Sequence, residues 1–430
     1  MKMVHVIGAG LAGCEATYQL IKRNIPVCLH EMRPNQNTPA HQTDLFAELI
    51  CSNSFRARSI ENAVGLMKEE MTRLDSLIMK VALQSEVPAG GALAVDRNVF
   101  SQTITQIIQA SPLVTIVREE VTSIPDDPTI IATGPLTSST FSQAIQAFCG
   151  EDYLYFYDAI APIVLGDSIN HEIVYAKSRY DKGEASYLNC PMTEEEFNRF
   201  YDALTHAEVV KPKDFELKVF EQCMAIEDIA ARGKQTLLYG PMKPVGLEDP
   251  KTQKRPYAVV QLRQENLNQT MYNLVGFQTH LKYPEQKRLL RMIPGLEQCE
   301  IVRYGVMHRN TYIHGPNVLN QYYQTLERSD LFFAGQITGV EGYLESAASG
   351  MVAGINMARL LEGKPLVDFT NSTALGALQY HISTPSSEYI PMNVNFGLFK
   401  ELPKTKKKLR KEAYGTRSLA LIQEWLGELL

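Results

Sequence analysis

"MVHVIGAGLAGCEATYQLIKRNIPVCLHE", residues 3–31, decides the fold. It reads as strand, glycine turn, helix and strand. Val4 to Ile7 are a short apolar strand, Leu11 to Arg23 carry helical spacing, and Pro26 precedes a second strand, Val27 to Leu29, that ends at Glu31. Gly8, Gly10 and Gly13 fit G-x-G-x-x-G, with Ala9, Leu11 and Ala12 between them. The first glycine lets the chain turn, the second lets a pyrophosphate approach the backbone, and the third lets the helix pack on the strand. The free N–H groups of the helix N-terminus then face the phosphates. Glu31 lies 21 residues after Gly10, where an acid takes the hydroxyls of an adenosine ribose. This pattern predicts an adenine dinucleotide and leaves FAD and NAD both open.

Two later stretches choose between them. "PTIIATGP", residues 128–135, is a strand running into Ala-Thr-Gly and supplies Thr133 and Gly134. "DLFFAGQITGVEGYLESAASGMVAGINMARLL", residues 330–361, is a strand, a glycine-rich turn and a helix of small residues. Both resemble the later elements of two-dinucleotide-fold flavoproteins. That resemblance implies FAD, with Gly335, Gln336, Gly339, Gly342 and Tyr343 lining it. "GALAVDRNVFSQTI" adds Asp96, a helix N-cap, and Arg97, which the same resemblance places beside the flavin.

The expected fold is α/β: a Rossmann-like FAD-binding domain made of residues 1–175 and 276–430, with a smaller α/β insertion at 176–275. In the insertion, Thr193 and Glu196 spell a capping box ahead of a helix. "FELKVFEQCMAIEDIAARG" is a second helix candidate ending at Gly233, and loops and a strand follow it. The insertion has neither a second G-x-G-x-x-G nor a C-x-x-x-x-C redox pair.

The bulk numbers agree with a cytoplasmic enzyme. Hydrophobic residues are 45% of 430, charged residues 21%, and the formal net charge is −6, so an anionic partner must meet a local basic patch. Seven scattered cysteines suit reduced thiols better than a disulfide framework or a zinc site, and no metal is expected. The glycine-rich start does not read as a signal peptide. No apolar run approaches the ~20 residues of a membrane span. No motif specifies an oligomeric state.

"VIGAGLAGCEA", "HEMRP", "LICSNSFR", "VDRNVFS", "YFYDAIAPIV", "FEQCMAIEDIAARG", "LLYGPMKPVGL", "QTHL" and "FFAGQITGVEGYLESAASG" together span nearly the whole chain. Through them the chain resembles the folate- and FAD-dependent tRNA (uracil-5-)-methyltransferases, relatives of the larger flavoprotein that modifies wobble uridines. The resemblance implies that 5,10-methylenetetrahydrofolate gives a carbon to uracil C5, that reduced FAD supplies electrons and that NAD(P)H reduces the FAD. The product is the T-loop ribothymidine of tRNA. The same chemistry on ribosomal RNA, and a small-molecule FAD oxidoreductase, are the alternatives. In "HEMRP" the resemblance adds Arg33 to the cofactor site.

Uracil C5 is a poor nucleophile until a thiolate adds at C6, so an activated cysteine is required. Cys223 repeats with Val219, Ile226 and Ala230 at helical spacing, which by itself describes a buried core thiol. The resemblance instead places the pyrimidine nucleophile at Cys223. Cys51 is flanked by Arg56 and Arg58, which would stabilise a thiolate, and its "SNS" turn is a candidate helix start. The resemblance makes Cys51 the second functional cysteine, protecting a reactive flavin–methylene species or handling a proton; an exchange of the two roles stays open. His280, Arg309 and Asn310 are candidates for folate contact. For RNA, residues 400–417 hold eight Lys or Arg against two Glu, joined by Lys211, Lys213, Lys243, Lys251, Lys254 and Arg255.

Overall fold

The computed structural model describes residues 2–38, 40–150, 153–159, 161–181, 184–210, 224–266, 268–305, 307–386 and 389–429, with the backbone alone at 153–159, 307–309 and 428. Cys223 lies outside the described residues, as do Lys211, Lys213 and Val219.

The glycine unit folds as its sequence dictates. Strand β1 (Val4–Ile7) leads through Gly8 into helix α1 (Leu11–Ile21), and β2 (Val27–His30) pairs parallel to β1. β1 is central in a five-stranded parallel sheet. Thr129–Ile131 and then Leu331–Phe333 lie on one side of it, β2 and then Val114–Val117 on the other. Strands some 200 residues apart in sequence, Thr129–Ile131 and Leu331–Phe333, are therefore neighbours, which makes the fold discontinuous.

Helix Tyr343–Leu361 crosses α1 at close range. A Cβ on Gly350 would come 2.2 Å from the Ala12 carbonyl oxygen, and one on Gly354 2.8 Å from that of Ala16. Only glycine permits this approach, and it brings the second glycine turn over the first. Asp96 caps helix Arg97–Gln109 by accepting from Asn98 and Val99, as expected.

A second, antiparallel sheet has its own hydrophobic core. Its six strands run in the order Tyr175–Ala176, Tyr187–Met192, Ala258–Gln264, Met271–Leu274, Ile163–Leu165 and Ile301–Arg303. The last two lie beyond the expected bounds of 176 and 275, because Ile163–Leu165 pairs with both Met271–Leu274 and Ile301–Arg303. The Thr193–Glu196 capping box is present. The described part of the second helix candidate runs only from Ile226 to Ala231, and Lys234–Tyr239, read as loop, is a short helix. The described ladder Tyr153–Ala159 with Met307–Ile313 lies where the chain passes between the two sheets. Among the described residues, no helix is long and apolar enough to cross a membrane.

Candidate active site

One cavity of about 400 Å³ opens at the carboxyl ends of the parallel strands. Its wall includes Gly8, Ala9, Gly10, Leu11 and Ala12 from the first turn, Glu31 and Arg33 after β2, and Thr133 and Gly134. Gly335, Gln336, Gly342 and Tyr343 come from the last turn, joined by Cys51 and Asn310. Crevices at this edge of a parallel sheet are where ligands bind in open α/β folds.

The glycines of the first turn do different work. Gly8 adopts φ +98°, and a Cβ there would meet the Ala132 carbonyl oxygen at 2.7 Å. A Cβ on Gly13 would come 1.8 Å from the Gly8 carbonyl oxygen, so Gly13 seats the helix on the strand and does not line the cavity. Gly10 caps α1 without a side chain, and a Cβ there would have nothing within 4 Å. That is the cradle a pyrophosphate needs: backbone N–H groups at a helix start with no side chain in front.

Glu31 accepts from the Ala9 amide at 3.2 Å and from the Arg33 amide at 3.1 Å. The Arg33 guanidinium grips both of its oxygens, Nε to Oε1 at 2.9 Å and Nη2 to Oε2 at 3.0 Å. Burial alone would raise the Glu31 pKa, but the Arg33 hydrogen bonds and charge outweigh it and hold the carboxyl below its ordinary value. Arg33, 2% exposed, also reaches Glu48 at 3.1 Å and the Thr43 carbonyl at 3.0 Å. Each Glu31 oxygen already accepts two hydrogen bonds, so a ribose hydroxyl that binds here must share or displace one of them. Arg33 thus acts on the site through Glu31.

Cys51 is partly exposed on the cavity wall, where its backbone N–H donates to the Tyr343 hydroxyl at 2.6 Å. The expected cationic flank is rearranged. Arg56 pairs with the buried Glu345 and Arg58 with Glu86 at the surface. Arg97 and Arg303 lie within electrostatic reach of Cys51. Nor does "SNS" start a helix: Ser54–Ala57 is a strand, with Arg56 at φ +65°. Asn53 is fully buried, donates to Val95 and Gln264 carbonyls and accepts from Arg263 Nε at 2.9 Å. Arg263 also donates to Ser52 Oγ at 2.6 Å. The cysteine turn is therefore clamped to the second sheet.

Other expected site residues fall elsewhere. Arg97 is not on the cavity wall; it pairs with Glu265 and donates to the Leu49 carbonyl at 2.6 Å. Gly339 sits behind the last turn, where a Cβ would strike Tyr389. His280 also lies off the wall. Its amide donates to Glu227 at 2.7 Å, and its ring lies 3.5 Å from Glu227 and 3.7 Å from Asp228. Its neighbour Gln278 does line the cavity, and the Gln278 carbonyl accepts from the Ile226 amide at 2.7 Å. Arg309 lies on strand Met307–Ile313, paired with Tyr157.

Wall residues that the sequence did not single out include His41, Glu48, Arg263, Gln278 and Asn393. An arginine inside the apolar strand "AVVQLRQ" was the legible signal for Arg263, since a buried cation demands a partner. The lysine-rich segment 400–417 carries mostly exposed side chains and leads into helix Arg410–Leu429.

Comparison with known proteins agrees with this architecture. The family model described as "Glucose inhibited division protein A" matches residues 3–365. Two crystal forms of Aquifex aeolicus GidA superpose with TM-scores of 0.70 and 0.71 at 16% and 17% identity. They cover all of this chain and 74% and 76% of theirs, and they share the fold. A "Methylenetetrahydrofolate--tRNA-(uracil-5-)-methyltransferase TrmFO" of Anoxybacillus flavithermus is 63% identical over 431 residues, covering 99% of this chain and 100% of the relative. A protein of the same description from Bacillus subtilis is 62% identical, covering 98% of each. With full-length identity at this level and the family match spanning both glycine turns, the chain belongs to the methylenetetrahydrofolate--tRNA-(uracil-5-)-methyltransferases within the GidA family.

Proposed function

We propose that this chain holds FAD in the cavity and transfers the one-carbon unit of 5,10-methylenetetrahydrofolate to C5 of the T-loop uridine of tRNA, with NAD(P)H as ultimate reductant. Membership of the family makes it a folate-dependent tRNA (uracil-5-)-methyltransferase. The observation that carries the finer reading is that both glycine turns, Glu31 and Cys51 face one cavity.

The amides at the start of α1 receive the pyrophosphate, and Gly10 keeps that approach clear. Glu31, kept ionised by Arg33, accepts the ribose hydroxyls. The donated carbon arrives at the oxidation level of formaldehyde, so a methyl group requires two further electrons; bound, reduced FAD supplies them. The thiolate of Cys223 adds to uracil C6 and makes C5 nucleophilic. C5 then takes the methylene carbon from the folate nitrogens, which leave as tetrahydrofolate, and gives up its proton; a hydride equivalent, two electrons and a proton, completes the methyl group as the thiolate leaves C6. Cys51, fixed on the wall by Tyr343, handles a proton beside the reacting carbon. The exposed cations of 400–417, with Lys251, Lys254 and Arg255, offer phosphate contacts that recognise RNA by shape.

The test is to incubate FAD-loaded protein with labelled methylenetetrahydrofolate, NADH or NADPH, and unmodified tRNA or ribosomal RNA transcripts. Label should appear at the T-loop uridine. Label only in ribosomal RNA moves the substrate, and label in neither RNA overturns the proposal.

A further inference from the structure

β1 and β2 carry a side-chain cluster that the methyltransferase chemistry does not use. Their parallel register sets His5 opposite Cys28, and His30 lies two residues beyond Cys28, so all three side chains share one face of the sheet. The His5 Nδ1 and His30 Nε2 atoms are 2.9 Å apart, and one ring nitrogen of each histidine and Cys28 Sγ all lie within 4.8 Å of one another. Cys28 is buried, and both histidines are half-buried. No linear motif announces this group, because residues 5 and 28 become neighbours only through strand pairing.

We propose that His5, Cys28 and His30 form a site for a borderline-soft divalent transition metal, with zinc(II) as the reference ion. Two imidazoles and a thiolate are a typical zinc donor set, and water completes a tetrahedron. Entry of the metal displaces the proton shared by the imidazoles and the thiol proton to solvent. The ring nitrogens must then open from 2.9 Å to about 3.3 Å, the span that Zn–N bonds of ~2.0–2.1 Å impose at a tetrahedral angle. Small rotations of two partly exposed rings accommodate that.

The position gives the metal a consequence. The His30 carbonyl accepts the Gly8 amide at 2.8 Å, and His30 borders the cavity ahead of Glu31. A metal here ties β1 to β2 at the base of the first glycine turn.

Untagged, FAD-loaded protein is stripped with a chelator, titrated with zinc(II) and compared with Cys28→Ser and His5→Asn, whose flavin content and circular dichroism report folding. The expected result is one zinc per chain, at least tenfold weaker binding in both variants, and a rise in thermal midpoint with zinc in the parent only. Zinc X-ray absorption of the parent, which depends on no variant, should show one sulfur at about 2.3 Å and nitrogens at about 2.0–2.1 Å. Equal uptake by parent and variants, no uptake, or a sulfur-free zinc shell would each overturn the proposal.

Discussion

The Tyr343 hydroxyl accepts the backbone N–H groups of two consecutive residues, Cys51 at 2.6 Å and Ser52 at 3.0 Å. Burial, with the nearby Cys51 adding to it, pushes the Tyr343 pKa far up, so the group stays a neutral hydroxyl. The residue that opens helix Tyr343–Leu361 thus fixes the turn bearing the first candidate thiol. In Tyr343→Phe both amides lose that acceptor at a cost of about 1–3 kcal/mol. The thermal midpoint should fall by a few degrees, and site-resolved alkylation of Cys51 should quicken. Unchanged midpoint and alkylation would show that the turn stands without this contact.

The Glu31–Arg33 pair makes a prediction with a defined sign. The folded-state pKa of Glu31 lies below its ordinary value, so the pair's contribution is complete above the unfolded carboxylate pKa. It is lost as pH falls through the lowered folded value. Arg33→Met leaves a buried, unpaired carboxylate, at a cost of about 3–5 kcal/mol near neutral pH. That variant should be less stable than the parent at pH 7, and the gap should narrow on acidification as Glu31 protonates. Denaturant melts across acidic pH check this, and a constant gap would refute the assignment.

Local patterns made the first turn legible: Gly8, Gly10, Gly13 and Glu31 sit where period, turn chemistry and spacing placed them. The partners of the charged groups were not legible, because each is set by a long-range contact. Arg56 is five residues from Cys51 in sequence yet pairs with Glu345, and Arg97 answers to Glu265, 168 residues away. His280 resembled a site residue until Glu227 claimed its amide and approached its ring. That Ile163–Leu165 joins the second sheet was not legible for a similar reason: a three-residue strand is too short to show a period.

The two cysteines separate by what each variant loses. Cys223→Ala should abolish RNA methylation while the protein stays yellow, because no thiolate then reaches uracil C6. Cys51→Ala should also depress methylation strongly and keep FAD, since its side chain shares the cavity wall without belonging to the phosphate cradle. Single-turnover assays with labelled folate donor and flavin absorbance read both outcomes. Full activity in Cys223→Ala would remove it as the nucleophile and turn attention to Cys51.

Gly10 and Gly13 stand three residues apart, and the structure assigns their alanine variants opposite failures. Gly10 has φ −75° and ψ −169°, a backbone that alanine adopts freely, and its Cβ would enter open space on the cavity side. Gly10→Ala should therefore fold and melt like the parent when both are free of FAD. It should bind FAD more weakly, on the order of tenfold or more, a loss of roughly 1.4 kcal/mol or more. The Cβ of Gly13→Ala would instead sit 1.8 Å from the Gly8 carbonyl oxygen, a backbone atom that cannot rotate away. Helix and strand must separate, at a cost of about 1–3 kcal/mol or more, so this variant should melt lower even without FAD. Melting curves of the two FAD-free variants beside FAD titrations distinguish the roles. Equal melting of both with equal loss of FAD would mean that Gly13, like Gly10, serves the ligand and not the helix–strand contact.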